Sequence, residues 1–244
     1  MLSFLHMSVC HPGPKLGWIA TVAAYGGGSL LMYVATRYAV PYFVELGMVP
    51  PLAWFAAAGI AFGLLLIAAL LLFAKDGCVD QRDVARRARF HPIDRIDVIL
   101  IAVVGVGTVA ITALWAALLG ALWPGFEFQP WFIRSGPLAD ASPWILLAWV
   151  PMYLLNIFGE ELLWHGWLLP GQERVFGRYA WIPAGLGWIL FHAPFGLGIV
   201  LLFAPFLLIE TYAVRRTRNL WIGVLLHAIF NAFGILATLF GLAS

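Results

Sequence analysis

Charge is scarce in this chain: 11% of its 244 residues are charged, against about 25% in an ordinary soluble domain. With 63% hydrophobic residues and a mean hydropathy of +0.92, that scarcity excludes a water-soluble globule. A net charge of +2 is too small to hold nucleic acid. Only two cysteines occur, Cys10 and Cys78, far apart and without a ligand pattern, so a disulfide framework and redox chemistry are not expected. The opening M-L-S-F-L-H-M-S-V-C-H-P-G-P-K lacks the basic start and long apolar middle of a signal peptide. Insertion then falls to the first span, behind an irregular or interfacial lead-in over residues 1–16. No internal repeat, low-complexity segment or His-Glu-x-x-His run is found.

What the chain has in abundance is apolar length. Taking about 20 residues to cross the hydrocarbon core, seven stretches qualify, at 17–40, 51–74, 96–121, 143–169, 180–194, 197–214 and 219–241. The expected fold is all-α: a polytopic transmembrane helix bundle of about seven spans, forming one domain over 17–244. Breakers fall between the spans, among them Pro50-Pro51, Pro124-Gly125, Gly136-Pro137, Gly171 and Pro194. Basic residues orient the bundle. Lys75, Arg82, Arg86, Arg87, Arg89 and Arg95 share one loop, Arg174 and Arg178 a second, and Arg215, Arg216 and Arg218 a third. The alternate loops hold little beyond Arg37 and Arg134. Seven spans put every basic loop inside, the N-terminus in the cytoplasm and the C-terminus outside. The 75–95 loop, with nearly as many aspartates as basic side chains, reads as a solvated amphipathic connection.

Ionisable groups inside a span cost about 2.5–3.5 kcal/mol each on insertion scales, so each is a candidate for function. Arg37 and Glu210 lie near span ends, where a side chain can reach water. The deep polar residues are Glu160 and Glu161, His192, and His227 with Asn231. Glu160 precedes Arg174 by 14 residues, His192 follows Arg178 by 14, and His227 follows Arg218 by nine. At about 1.5 Å per residue, all three lie near the midplane or in the cytoplasmic half. Glu161 and His165 are spaced i,i+4, as are His227 and Asn231, so each pair shares a helix face. Glu160 points about 100° away from Glu161, leaving one carboxylate for a cavity and the other for His165. Gly223 and Gly234 flank the second pair and allow close approach. A lone buried His or Asn is more often an interhelical hydrogen bond. Two adjacent glutamates exceed that need and suit proton transfer.

E160-E161-L-L-W-H165, W188-I-L-F-H192 and H227-A-I-F-N231, in that order, resemble the three motifs of the CPBP intramembrane proteases. These are Glu-Glu-x-x-x-Arg, Phe-x-x-x-His and His-x-x-x-Asn/Asp, in a family that includes CAAX endopeptidases and Abi-type proteins. The resemblance covers about 143–241, the expected catalytic core. It departs in two places: His165 stands where the family has arginine, and Trp188 where it has phenylalanine, a change that keeps the aromatic surface.

The resemblance implies peptide-bond hydrolysis in the membrane, with Glu160 the base that activates water and His192 positioning that water. His227 and Asn231 would stabilise the oxyanion, while Glu161 braces His165. It implies a membrane-associated protein or peptide substrate in the lipid bilayer, no nucleic acid and no cofactor. Zinc on Glu160, His192 and His227 is the alternative. The expected location is a prokaryotic plasma membrane. Two other functions compete: a non-catalytic, immunity-type protein that binds a peptide or partner, and a proton-coupled transporter. The second lacks repeat symmetry and paired broken helices.

Overall fold

Pro50 and Pro51 open a 26-residue helix almost without polar groups, and its length follows from that composition. In the computed structural model, which describes residues 10–125, 127–132 and 144–239, every regular element is helical. The elements are α1 (Trp18–Glu45), α2 (Pro50–Lys75), α3 (Gln81–Arg87), α4 (Arg95–Leu122), α5 (Trp144–Glu160), α6 (Leu169–Phe176), α7 (Trp181–Phe191), α8 (Leu197–Thr217) and α9 (Leu220–Leu239). Arg134, the Gly136-Pro137 breaker and residues 1–9 of the lead-in lie outside the described residues.

Among the described residues four helices, α1, α2, α4 and α8, are long and apolar enough to cross a membrane. Their outer faces carry exposed Ile19, Ile67, Val103 and Leu114. An apolar belt of this kind cannot face water, and the protein is an integral membrane protein. Inside the belt, α2 packs along α5, α1 along α7, and α8 against α4, α7 and α9. Gly159 makes the α2–α5 contact close, since a Cβ there would stand 2.6 Å from the Phe62 carbonyl oxygen. Tyr25 of α1 stacks on Trp164 at 4.4 Å between ring centroids, filling the space between α1 and the helix that follows α5.

At one end of the bundle the lead-in crosses the basic loops. His11 N donates to the Asp76 carbonyl at 2.7 Å, and Leu16 N to that of Gly171 at 3.1 Å. This return brings Cys10 and Cys78 together in a disulfide with 4.7 Å between Cα atoms, correcting the expectation that the two stay apart. Sixty-eight residues of separation hide the contact, because only the tertiary path of the lead-in creates it. The 75–95 connection is likewise folded into the bundle end. Asp80 caps α3 by accepting from Asp83 N at 2.8 Å. Asp76 accepts from Arg87 Nη2 and from Trp167 Nε1, each at 3.0 Å. Burial pushes the Arg87 pKa down from its ordinary value, and Asp76 opposes the shift. Asn219 joins the same end, its Oδ1 accepting from His91 N and Trp221 N at 3.2 Å at the start of α9.

Candidate active site

Winding changes where the two carboxylates stand. After Glu160 the α-helix gives way to a π segment over Glu161–Leu168, with α6 continuing beyond it. The i→i+5 winding is rare and concentrates at functional sites. Pro170 contributes, since it has no N–H to return to the Gly166 carbonyl, which accepts from Arg87 Nη1 at 3.5 Å instead. Glu160 and Glu161 are 1% and 0% exposed and turn to different partners. Glu160 Oε1 accepts from Asn156 Nδ2 at 2.5 Å, and Oε2 accepts from Trp188 Nε1. Glu161 faces two imidazoles: Oε2 lies 2.8 Å from His165 Nδ1 and Oε1 3.0 Å from His227 Nδ1. A Cβ on Gly223 would fall 2.2 Å from Glu161 Oε2, so only glycine lets α9 lie against that carboxylate.

Trp188 on α7, fully buried, links the three motifs. Its ring centroid is 4.8 Å from His165, 5.3 Å from His227 and 6.2 Å from His192, while its N–H reaches Glu160. The replacement for the family phenylalanine therefore adds a donor to the site, a larger change than an exchange of aromatic surface. His192 follows the end of α7 and its Nδ1 donates to the Trp188 carbonyl at 2.8 Å. A carbonyl can only accept, so neutral His192 keeps a lone pair at Nε2. Phe195 and Phe203 wall that ring at 5.7 and 5.8 Å. Asn231 donates from Nδ2 to Asn156 Oδ1 at 2.6 Å, so Asn156 bridges Asn231 to Glu160.

The residues singled out from the sequence thus meet in one network, buried except at the half-buried Asn231, with two pairings their spacing does not reveal. His227 binds Glu161 and not Glu160, and Asn231 reaches Glu160 through Asn156. Glu161 and His165 bond as their i,i+4 spacing suggests. The sequence pattern does not mark Asn156, Glu210 or Thr211 as part of the site. Asn156 carries a readable signal, being one turn before Glu160 in an apolar span. Glu210 corrects the expectation of a side chain reaching water: it is 1% exposed, enclosed by α4 and α9 around α8. Among the described residues, one imidazole and two carboxylates, those of His165, Glu161 and Glu210, bring ligand atoms within 4.8 Å of one another.

A cavity of about 530 Å³ opens at the other end of the bundle, between the segment after α4 and the turn from α7 to α8. Arg37, Trp123 and Phe195 line it, and Phe195 is its link to His192. No curated protein and no solved structure matches the chain. Residues 142–233 match the family model described as Type II CAAX prenyl endopeptidase Rce1-like. That stretch holds Glu160, Glu161, His165, Trp188, His192, His227 and Asn231, so the part of the chain that carries the site is similar to the Rce1-like family.

Proposed function

We propose that this protein hydrolyses a peptide bond in a membrane-held protein or peptide, with Glu160 as the base. The carrying observation is the arrangement around Trp188, which fixes Glu160 and has His192 and His227 beside the same indole. Each Glu160 oxygen holds one donor and has a further lone pair to receive a water proton. His192 Nε2 accepts from that water and aims it. The hydroxide adds to the scissile carbonyl carbon, and the oxyanion is met by Nε2–H of a doubly protonated His227, paired with Glu161 through Nδ1–H, and by the second N–H of Asn231. Glu160 then delivers its proton to the leaving amine, and the carbon–nitrogen bond breaks. Glu161, holding His227 at Nδ1, orients that imidazole without touching substrate.

In this reading no metal ion takes part in the chemical step, because an amide stands beside the histidine at the oxyanion position. Zinc on Glu160, His192 and His227 is the competing mechanism. The family description supports a substrate held at the membrane by a prenyl group near its C-terminus. The bundle reads as seven spans in a prokaryotic plasma membrane with the N-terminus cytoplasmic and the C-terminus outside. The gathering of residues 11–16, 76–91, 171–174 and 218–221 at one end supports one shared side for the basic loops.

Cleavage of a quenched peptide, prenylated and unprenylated, by the detergent-purified protein tests the reading. Glu160→Gln and His227→Ala should each lose roughly 10²–10⁴-fold in rate while keeping the wild-type unfolding temperature. A Glu160→Gln protein that cleaves at the wild-type rate would falsify it.

A further inference from the structure

We infer that Glu161, His165 and Glu210 form a site for one divalent transition-metal ion, apart from the water-activating carboxylate and using the histidine that replaces the family arginine. The ligand atoms of the three lie within 4.8 Å of one another, and all three side chains are buried. Zinc holds nitrogen and oxygen ligands at about 2.0–2.2 Å, so two of them stand at most roughly 4.4 Å apart. Around a tetrahedral ion the same bonds put two ligands roughly 3.4 Å apart, so side-chain movements of about an ångström would close the observed cluster into a coordination shell.

The hydrogen bonds of His165 point the same way. Thr211 Oγ1 gives its proton to the Leu207 carbonyl at 2.6 Å and lies 3.2 Å from His165 Nε2. With its own proton committed, that hydroxyl oxygen must accept from Nε2–H. The proton of neutral His165 is therefore on Nε2, and the bare Nδ1 faces Glu161 Oε2 at 2.8 Å. Two lone pairs at that distance need a cation between them. A metal-ligating histidine that donates its far N–H to a fixed oxygen is the usual supporting arrangement.

Glu210 brings a second carboxylate against Glu161, and among the described residues no N–H or hydroxyl group donates to it, although the side chain is 1% exposed. A buried carboxylate without donors is costly whether ionised or not. An ion shared with Glu161 and His165 removes that cost. Glu210 also lines a cavity of about 10 Å³ beside Thr108 and Phe206, and a space of this size holds about one water, available as a further ligand. Two carboxylates and one imidazole suit zinc or a neighbouring divalent ion. In charge, the ion stands in for the missing guanidinium and fixes Glu161, and through it His227.

The full chain, purified in detergent, is stripped with chelator, loaded with Zn²⁺ or Co²⁺ and passed through gel filtration. Wild type should retain one ion per chain, show cobalt d–d absorption, and unfold at a higher temperature when loaded. Glu210→Gln should bind at least tenfold more weakly. His165→Arg supplies the charge covalently, so it should hold no ion while remaining folded and indifferent to Zn²⁺. Glu160→Gln should bind as wild type does, which separates this site from the peptidase reading. Retention of less than a tenth of an ion by folded wild type overturns the proposal. So does full retention in both Glu210→Gln and His165→Arg, or loss in His192→Ala with retention in Glu210→Gln, which would move the ion to the other histidines.

Discussion

His227 Nδ1 meets Oε1 of Glu161 at 3.0 Å, while the adjacent Glu160 takes its donors from Asn156 and Trp188. The second glutamate of the pair thus holds two imidazoles, one on its own helix and one on α9. Glu161→Gln keeps the shape but removes the negative charge that holds the His227 ring. The expected loss in kcat/KM is roughly 100-fold, read in the peptide-cleavage assay with folding monitored in parallel. More than half the wild-type rate in this variant would show that Glu161 does not position His227.

Trp188→Phe restores the aromatic residue of the family pattern and removes one donor from Glu160. A hydrogen bond to a charged group contributes about 1.5–3 kcal/mol, so the rate should fall roughly 10–100-fold. The cavity left by the smaller ring adds a fall in unfolding temperature. Trp188→Phe with an unchanged rate would mean the indole N–H contributes only packing.

Gly223→Ala tests the close approach of α9 to the carboxylate. Its methyl group would meet Glu161 Oε2 at 2.2 Å and Val214 Cγ2 at 2.8 Å. Overpacking of this kind costs about 1–3 kcal/mol, and here it also displaces Glu161, so the rate should drop at least about tenfold. Gly107→Ala on α4, with nothing within 4 Å of the added carbon, is the control and should leave rate and stability unchanged. Equal behaviour of the two variants would remove Gly223 from the site.

The three motifs are readable because the membrane sharpens contrast: in a span of Leu, Ile and Trp, each carboxylate or imidazole stands out. Spacing of i,i+4 is local geometry, which is why the Glu161–His165 bond could be anticipated. Pairings between helices depend on the rotation of each helix about its axis, and the apolar residues on every side of these spans leave that rotation unspecified. His227 therefore binds Glu161 rather than Glu160, and Asn156 enters as a bridge. Glu210 lies near a span end, where the sequence suggests a side chain reaching water. Depth along the helix cannot reveal that α4 and α9 cover it. In the sequence Trp188 offers an aromatic surface, and its N–H gains significance from the Glu160 carboxylate within reach.

The bundle end offers a prediction about stability alone. Asp76 and Arg87 pair at 3.0 Å with side chains 8% and 7% exposed, and Trp167 Nε1 donates to the same Asp76 oxygen. The pair ties the 75–95 connection to the helix that carries the site, since Arg87 also reaches the Gly166 carbonyl. Removing one member of a buried pair strands the other and costs about 3–5 kcal/mol. Asp76→Asn should destabilise the protein by that amount in detergent unfolding. Adding Arg87→Met should recover part of the loss, because the stranded guanidinium is gone and its stem is kept. Residual activity at low temperature should match wild type in both variants, since neither residue reaches Glu160. If the double variant is less stable than Asp76→Asn alone, Arg87 is held by its carbonyl contacts, to His11 and Gly166, rather than by Asp76.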